Sequence, residues 1–540
     1  MAKKKKKAAS TARNSLRPPQ GGVAVRMYRH GLGDCFLLAF TKSRSAKPCY
    51  VLIDCGVHMR QDAGSKRLGE VMEDLVKVTG GKLDVVITTH EHADHLSGFV
   101  QKGSPFADGR LKINRFWVGW TERIGDAQAD RLRAKRGAAR ATIERAVEKL
   151  KERRRAGLAE RLTGLMDFER LPPGALAAAA GKKTRAGSNE IALELLRQHA
   201  RKVEYCEPGA LLKLPGVGNA RAYVLGPPRS EVLLRRDRPA KGPGRETYLT
   251  AGAQQRTFLL APALSDDLPV QEVDPDLRHP FESAVRRECR FPATDPAVRW
   301  PERGPATQLT RSFCEDHYFD SDSDWRRIDT DWLDAAEQLA LDLDNDTNNT
   351  SLTLAFELGD VGQGTVFLFV GDAQVGNWLS WRSQTYKAGR RTFSADDLLA
   401  RTVLYKVGHH GSHNATVRRD PLHTSVDHPH GEPFGLELMS SQLIALVPVD
   451  QKAARKRMPK PWHMPHTPLY QRLLEKAAGR VLRSDGASPG SEGIQLESHS
   501  PRGSRLTRAP GLSDIEWYES SAKFANGRKC PLYYDLLFKP

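Results

Sequence analysis

From Val23 onward the chain sets short apolar runs between glycine-containing turns, and these runs predict strands. The first block comprises Val23–Tyr28, Cys35–Phe40, Tyr50–Asp54, Leu83–Thr89 and Ile113–Val118, all rich in β-branched and aromatic residues. Strands resume at Leu211–Leu214 and Arg221–Pro228. A second block holds Ser351–Glu357, Thr365–Val370, Thr402–Val407, Ser441–Val447 and Leu532–Phe538. Between Arg123 and Leu171 the pattern changes to Ala, Arg, Glu and Leu without proline, which predicts one or two long helices. Shorter helices are expected at Ala395–Ala400 and Leu469–Ala478. From 229 to 345 periodicity fades among prolines and charges, so an irregular insertion is expected there. Strands separated by helical stretches make the class α/β.

These shifts divide the chain into a basic leader (1–20), a first half of a core domain (21–120) and a basic helical insertion (121–200). A return to core strands (201–228), the irregular insertion (229–345), the second half of the core (346–490) and a C-terminal extension (491–540) follow. With 540 residues, one ordinary domain is exceeded and a large core is affordable. No apolar run nears the roughly 18–20 residues that span a bilayer, and no apolar segment follows Lys3–Lys7 as a secretion signal would require. Seven scattered cysteines without a C-x-x-C pair argue against a disulfide framework or zinc ribbon and for a reducing, cytoplasmic setting without membrane association.

Net charge adds a partner class. The chain carries +18, which favours nucleic acid or another phosphate-rich partner through long-range attraction and counterion release. Between Arg123 and Arg161 stand 13 Lys or Arg against 6 Asp or Glu. A solvated helix face is the default reading, with a nucleic-acid-facing surface as the alternative.

Three motifs carry chemistry. The strand ending at Thr89 runs into His90-Glu91-His92-Ala93-Asp94-His95, which without Glu91 offers four ligands of the imidazole and carboxylate type that catalytic metals take. Phe369-Val370-Gly371-Asp372 ends a second apolar strand on a carboxylate able to bridge two cations, although Gly-Asp is also a common turn. Lys406-Val407-Gly408-His409-His410-Gly411-Ser412-His413 sets three histidines behind a third strand, suited to ligation or proton transfer. His413 divides evenly between a supporting role and an ordinary surface residue.

In this order, with Asp54-Cys55-Gly56, Gly31-Leu32-Gly33-Asp34 and Asn348-Asn349-Thr350-Ser351-Leu352, the motifs resemble the metallo-β-lactamase superfamily. Within it the His-His-Gly-Ser ending resembles the hydrolase domain of the bacterial competence protein ComEC and its stand-alone relatives, over residues 22–120, 205–228 and 347–485. The resemblance implies an αββα sandwich of two mixed sheets flanked by helices. It implies two divalent metals, zinc first with manganese or iron as alternatives. His90 and His92 would hold one, Asp94 and His95 the other, with Asp372 bridging and His410 or His409 completing the shells. Asp54, Asp34, Lys406 and Ser412 would support these ligands. Many superfamily members carry a further histidine before the Gly-Asp strand. Near Leu225-Gly226-Pro227-Pro228 none stands, so the first metal would have two histidines and the bridge, or would borrow His409.

The expected reaction is hydrolysis by a water activated between two metals, with Asp94, His413 or a metal-bound water protonating the leaving group. A phosphodiesterase or nuclease fits the charge. The alternatives are hydrolysis of a small ester, thioester or lactam, and a metal-stabilised nucleic-acid-binding module without turnover.

Overall fold

Parallel and antiparallel strand pairing builds two mixed sheets whose apolar faces meet. A computed structural model describes residues 16–58, 64–152, 156–171, 189–240, 244–248, 331–388, 391–455, 462, 464–486, 515–519 and 532–540. The larger of two units draws on residues 1–140, 163–252 and 342–540, and contains both sheets and every residue of the site described below. The smaller unit draws on 141–162 and 253–341. Its described residues are helical, and within it Arg161 pairs with Glu337 at 2.5 Å.

The first sheet has eight strands in the order Ile515–Glu519, Tyr533–Phe538, Val23–Tyr28, Phe36–Phe40, Cys49–Ile53, Lys82–Thr88, Lys112–Gly119, Ala200–Cys206. Pairing is antiparallel as far as Cys49–Ile53 and parallel beyond it. The second has seven, in the order Val481–Arg483, Ile444–Val447, Thr402–Lys406, Thr365–Phe369, Thr353–Leu358, Ala220–Gly226, Leu211–Lys213. Here the first three pairings are parallel and the rest antiparallel.

Val23, Val25, Phe36, Leu38 and Ile87 of one sheet share a buried cluster with Leu354, Phe356, Phe367, Phe369 and Leu446 of the other. Edge-to-face contacts such as Phe36–Phe369, 5.5 Å between centroids, cross the interface. On the outer face of the first sheet the helices Gly64–Thr79, Ala93–Val100 and Glu190–His199 bury Leu68, Val71, Leu96, Phe99 and Leu196. The outer face of the second packs against Val375–Leu379, Ala395–Ala400 and Thr467–Lys476. The layers are therefore helix, sheet, sheet, helix.

Several elements depart from the pattern. Ala200–Cys206 is a strand although it continues a helix-like stretch, because as the sheet's last strand it can leave Arg201 and Lys202 exposed. The stretch expected to be irregular before residue 345 contains the helix Asp331–Asn348. The strand expected at Leu532–Phe538 does form, and the C-terminal extension thereby supplies an inner strand: Tyr533–Phe538 pairs with Val23–Tyr28 in the register Val23↔Phe538. The helix Ala127–Glu152 is not solely a solvated face, since Arg136 and Arg140 are buried. Among the described residues no helix is long and apolar enough to cross a membrane.

Candidate metal centre

Three strands, one from the first sheet and two neighbours from the second, end at one place. Thr88 hands over to His90–His95, Phe369 to Gly371-Asp372, and Lys406 to His409-His410. The backbone there is tightly specified. A Cβ on Gly56 would lie 2.4 Å from the Asp94 carbonyl carbon, so the Asp54-Cys55-Gly56 turn can press against the start of the helix bearing Asp94. Asp54, His409 and His410 adopt φ of 54°, 43° and 52°, left-handed conformations that cost about 1–3 kcal/mol and persist where the surroundings over-determine them.

Asp94, His95, Asp372 and His410 each turn one ligand atom inward, and these four atoms lie within 4.8 Å of one another, all buried. His410 Nε2 is 2.8 Å from Asp94 Oδ2 and 3.7 Å from Asp372 Oδ2. His95 Nε2 is 3.6 and 3.3 Å from the same two oxygens. The opposite nitrogens are fixed from outside: His95 Nδ1–H donates to Asp54 at 2.8 Å and His410 Nδ1–H to the Pro448 carbonyl at 2.7 Å. Each ring thus presents Nε2 to the centre. His95 Nε2 and Asp94 Oδ1 are buried without a hydrogen-bond partner, an arrangement costing about 1–3 kcal/mol per atom unless a cation takes that place. This donor set fits a divalent metal.

Asp372 offers the cluster only one oxygen. Its Oδ1 accepts from Lys406 Nζ at 3.1 Å and from the His409 N–H at 3.0 Å, and Lys406 also pairs with Asp34 at 2.5 Å. The oxygen of Asp372 that faces His95 and His410 is Oδ2.

His90 and His92 form a pair beside this group, with the His90 ring centroid 4.2 Å from that of His95. Thr89 Oγ1 donates to Asp54 Oδ2 at 2.7 Å and so accepts from His90 Nδ1–H at 3.0 Å. His90 Nε2 then faces His92 Nδ1 at 3.1 Å, while His92 Nε2–H donates to Glu169 at 3.0 Å. His409 stands aside from both groups. Its Nδ1–H donates to Ser412 Oγ at 2.9 Å, its Nε2 lies 3.5 Å from Asn348 Nδ2, and its backbone rather than its ring reaches Asp372. His413 is exposed, with its ring 6.2 Å from that of His466 and outside the cluster.

The electrostatics follow. Burial pushes the Asp94 and Asp372 carboxyls up, but His95 and His410 (for Asp372, Lys406 first) outweigh it and hold both well below the carboxylate range. Asp94 is thus an anion and a poor proton donor. Burial disfavours charge on His95 and His410, yet Asp372 and Asp94 raise both rings above the ordinary imidazole value. Burial and the neighbouring His95 and His92 push His90 well down. His92, opposed by burial, is raised to about 9 by the Glu169 hydrogen bond and by Asp344.

The groups that hold His92 and Glu91 carry no motif in the sequence. Glu169 accepts from His92 and is paired with Arg140 at 2.5 Å. Arg140 also reaches Glu91 at 3.3 Å, Arg136 lies 3.1 Å from Glu91 and 2.9 Å from Glu122, and all five are buried. Arg and Glu three to four residues apart on a charged helix read as surface pairs, which concealed this network. Its one signal was Glu91 itself, a charged residue inside an otherwise ligating motif.

Residues 46–101, which include Asp54 and the His90–His95 cluster, match the family model described as the metallo-beta-lactamase superfamily. Among solved structures the chain is similar to the metallo-beta-lactamase fold protein YhfI from Bacillus subtilis, with 14% identity over 37% of this chain and 52% of that one and a TM-score of 0.17. It is also similar to a beta-lactamase domain protein from Burkholderia ambifaria, with 16% identity over 39% and 47% and a TM-score of 0.19. The chain thus spans about half the length of these solved structures. No curated protein matches it. The family match over residues 46–101, with two mixed sheets flanked by helices and a buried Asp/His cluster at their strand ends, supports the metallo-beta-lactamase superfamily for this chain.

Proposed function

We propose that this chain is a metal-dependent phosphodiesterase of the ComEC-like branch, acting on nucleic acid or nucleotides. The observation that carries the metal reading is the buried group Asp94, His95, Asp372 and His410, in which His95 Nε2 and Asp94 Oδ1 have no hydrogen-bond partner. A divalent cation bound there supplies Lewis acidity toward a phosphoryl oxygen and lowers the pKa of a nearby water. The chain's own residues prepare the place. Asp54 and Pro448 fix the ring faces of His95 and His410. Lys406 holds Asp372 ionised and aims Oδ2 inward. The phosphate preference rests on the +18 charge, which raises the local concentration of polyanions and speeds their encounter.

The test is to purify the protein, measure bound metal, and offer labelled single-stranded DNA, double-stranded DNA, RNA and a bis-phosphodiester reporter. Metal-dependent cleavage that disappears in Asp94→Ala and Asp372→Ala is the expected result. Turnover of esters, thioesters or lactams with no phosphodiester cleaved would overturn the substrate assignment. Nucleic-acid affinity indifferent to chelator, with no turnover of any substrate, would return the chain to a binding module.

A further inference from the structure

The loop that carries His410 leads on into the walls of a cleft. Gly411 O accepts from the His466 N–H at 2.8 Å, and His466 precedes the helix Thr467–Lys476. Pro468, Arg472 and Glu475 of that helix line a cleft of about 760 Å³, and Arg418, a few residues beyond Ser412, lines it as well. All of these residues belong to the larger unit.

The glutamates of the cleft are already neutralised. Glu437 accepts from Arg472 Nε at 2.9 Å, from Arg472 Nη2 at 2.5 Å and from the Tyr248 hydroxyl at 2.7 Å. Glu475 accepts from Arg472 Nη1 at 2.9 Å. Arg418 is different. Its backbone is pinned on both sides, the N–H donating to Glu246 O at 2.7 Å and the carbonyl accepting from the Phe434 N–H at 3.0 Å. Its guanidinium donates through Nε to the Arg245 carbonyl at 3.4 Å, and neither Nη group meets a partner among the described residues. Burial and then the adjacent Arg419 charge hold it below the ordinary arginine value, so this cation is short of compensation. The remaining lining carboxylate, Asp427, sits on an exposed loop and forms no ion pair with it among the described residues. A fork of two free Nη groups, on a fixed backbone in a roomy cleft, matches the paired oxygens of a phosphate.

We propose that Arg418 anchors a phosphate-binding subsite, which takes the backbone of a nucleic-acid strand beyond the metal centre. The identity of the strand rests on the phosphodiesterase reading, and the experiment separates the two.

Binding of a fluorescein-labelled oligothymidylate to full-length, metal-stripped protein is followed by fluorescence anisotropy, so that turnover does not enter. Arg418→Gln should weaken binding about 10–100-fold, the range for hydrogen bonds to a charged group. The slope of log affinity against log salt should shrink by about 0.7, one phosphate contact on a single strand. Arg418→Lys keeps the charge but not the fork, and should recover the slope with only part of the affinity. Arg44→Gln removes an exposed arginine from the turn between Phe36–Phe40 and Cys49–Ile53, at the strand ends away from Asp54. It should leave affinity within about twofold, since charges beyond a Debye length are screened. Arg418 is half-exposed, so its variants are expected to fold like wild type, which thermal melting checks. Unlabelled oligothymidylate should displace the probe at far lower concentration than inorganic phosphate; displacement by both at equal concentration would overturn the strand assignment. Unchanged affinity in Arg418→Gln, or an equal fall in Arg44→Gln, would overturn the subsite, and phosphodiester cleavage by that same wild type would leave the functional reading standing. Binding lost in Arg418→Gln, with no phosphodiester cleaved by wild type, would keep the subsite and remove that reading.

Discussion

Two groups of donors stand at the same strand ends, and they are held in different ways. Asp94, His95, Asp372 and His410 come from segments directly following core strands, and their supports, Asp54, Lys406 and Pro448, also border the sheets. His90 and His92 follow the same strand, but the partners beyond them, Glu169 and Asp344, are contributed by the two insertions. The first group is the property of the two-sheet frame. The second depends on what this chain added to the frame, and that includes the arginines of its basic helix.

The largest expected effect breaks the first group. Asp372→Ala removes the anion shared by Lys406, His95 and His410, leaving buried cations uncompensated, a change worth about 3–5 kcal/mol when one partner of a buried pair is deleted. Urea unfolding of the metal-free protein should show that loss, and hydrolysis should vanish; a fully stable variant would mean the three cations are balanced elsewhere. Next, Gly56→Ala should displace the Asp94 backbone, since its Cβ would meet Asp94 C at 2.4 Å. Cation uptake at the first group should fall while the pair is less affected, as equilibrium dialysis would reveal.

A smaller effect sharpens the second group. Glu169→Gln should bring His92 down from about 9 toward the ordinary imidazole value, followed by ring-proton chemical shifts in the metal-free protein; an unmoved titration would show that Glu169 does not hold the ring. The same raised value sets a pH dependence. An imidazole with a raised folded pKa stabilises the metal-free fold fully below its unfolded value of about 6.5, and that contribution is lost as pH rises through the folded value. For His92 the window runs from there to about 9. Because a bound cation needs the imidazoles deprotonated, metal uptake at neutral pH should release protons, and affinity should strengthen with rising pH. Calorimetry in buffers of different ionisation enthalpy measures the release directly. The smallest effect is expected at His413, which is exposed and outside the cluster: His413→Ala should leave kcat/KM within about twofold.

Strand positions were legible wherever apolar runs sat between turns, and so were Asp94, His95, Asp372 and His410, because imidazoles and carboxylates behind buried strands have few other uses. The strand Ala200–Cys206 was hidden by Arg201, Lys202 and Glu204, which an edge position tolerates. The helix Asp331–Asn348 was hidden because its buried stripe, Ala336, Ala340 and Leu343, is built largely of small residues set among acidic ones. Glu169 and Asp344 could not be read at all: each sits among charged neighbours in a segment far from the motifs, and only folding brings it to His92. Arg136 and Arg140 look like the solvated arginines beside them, and only Glu91 distinguishes them.

The most direct test is a crystal of the active protein soaked with Zn²⁺ or Mn²⁺ and an anomalous difference map. The expected map has a peak bonded to His95 Nε2, His410 Nε2, Asp94 and Asp372 Oδ2, with bonds of about 2.0–2.2 Å for zinc. A metal-dependent, active crystal with no peak between those four residues would contradict it.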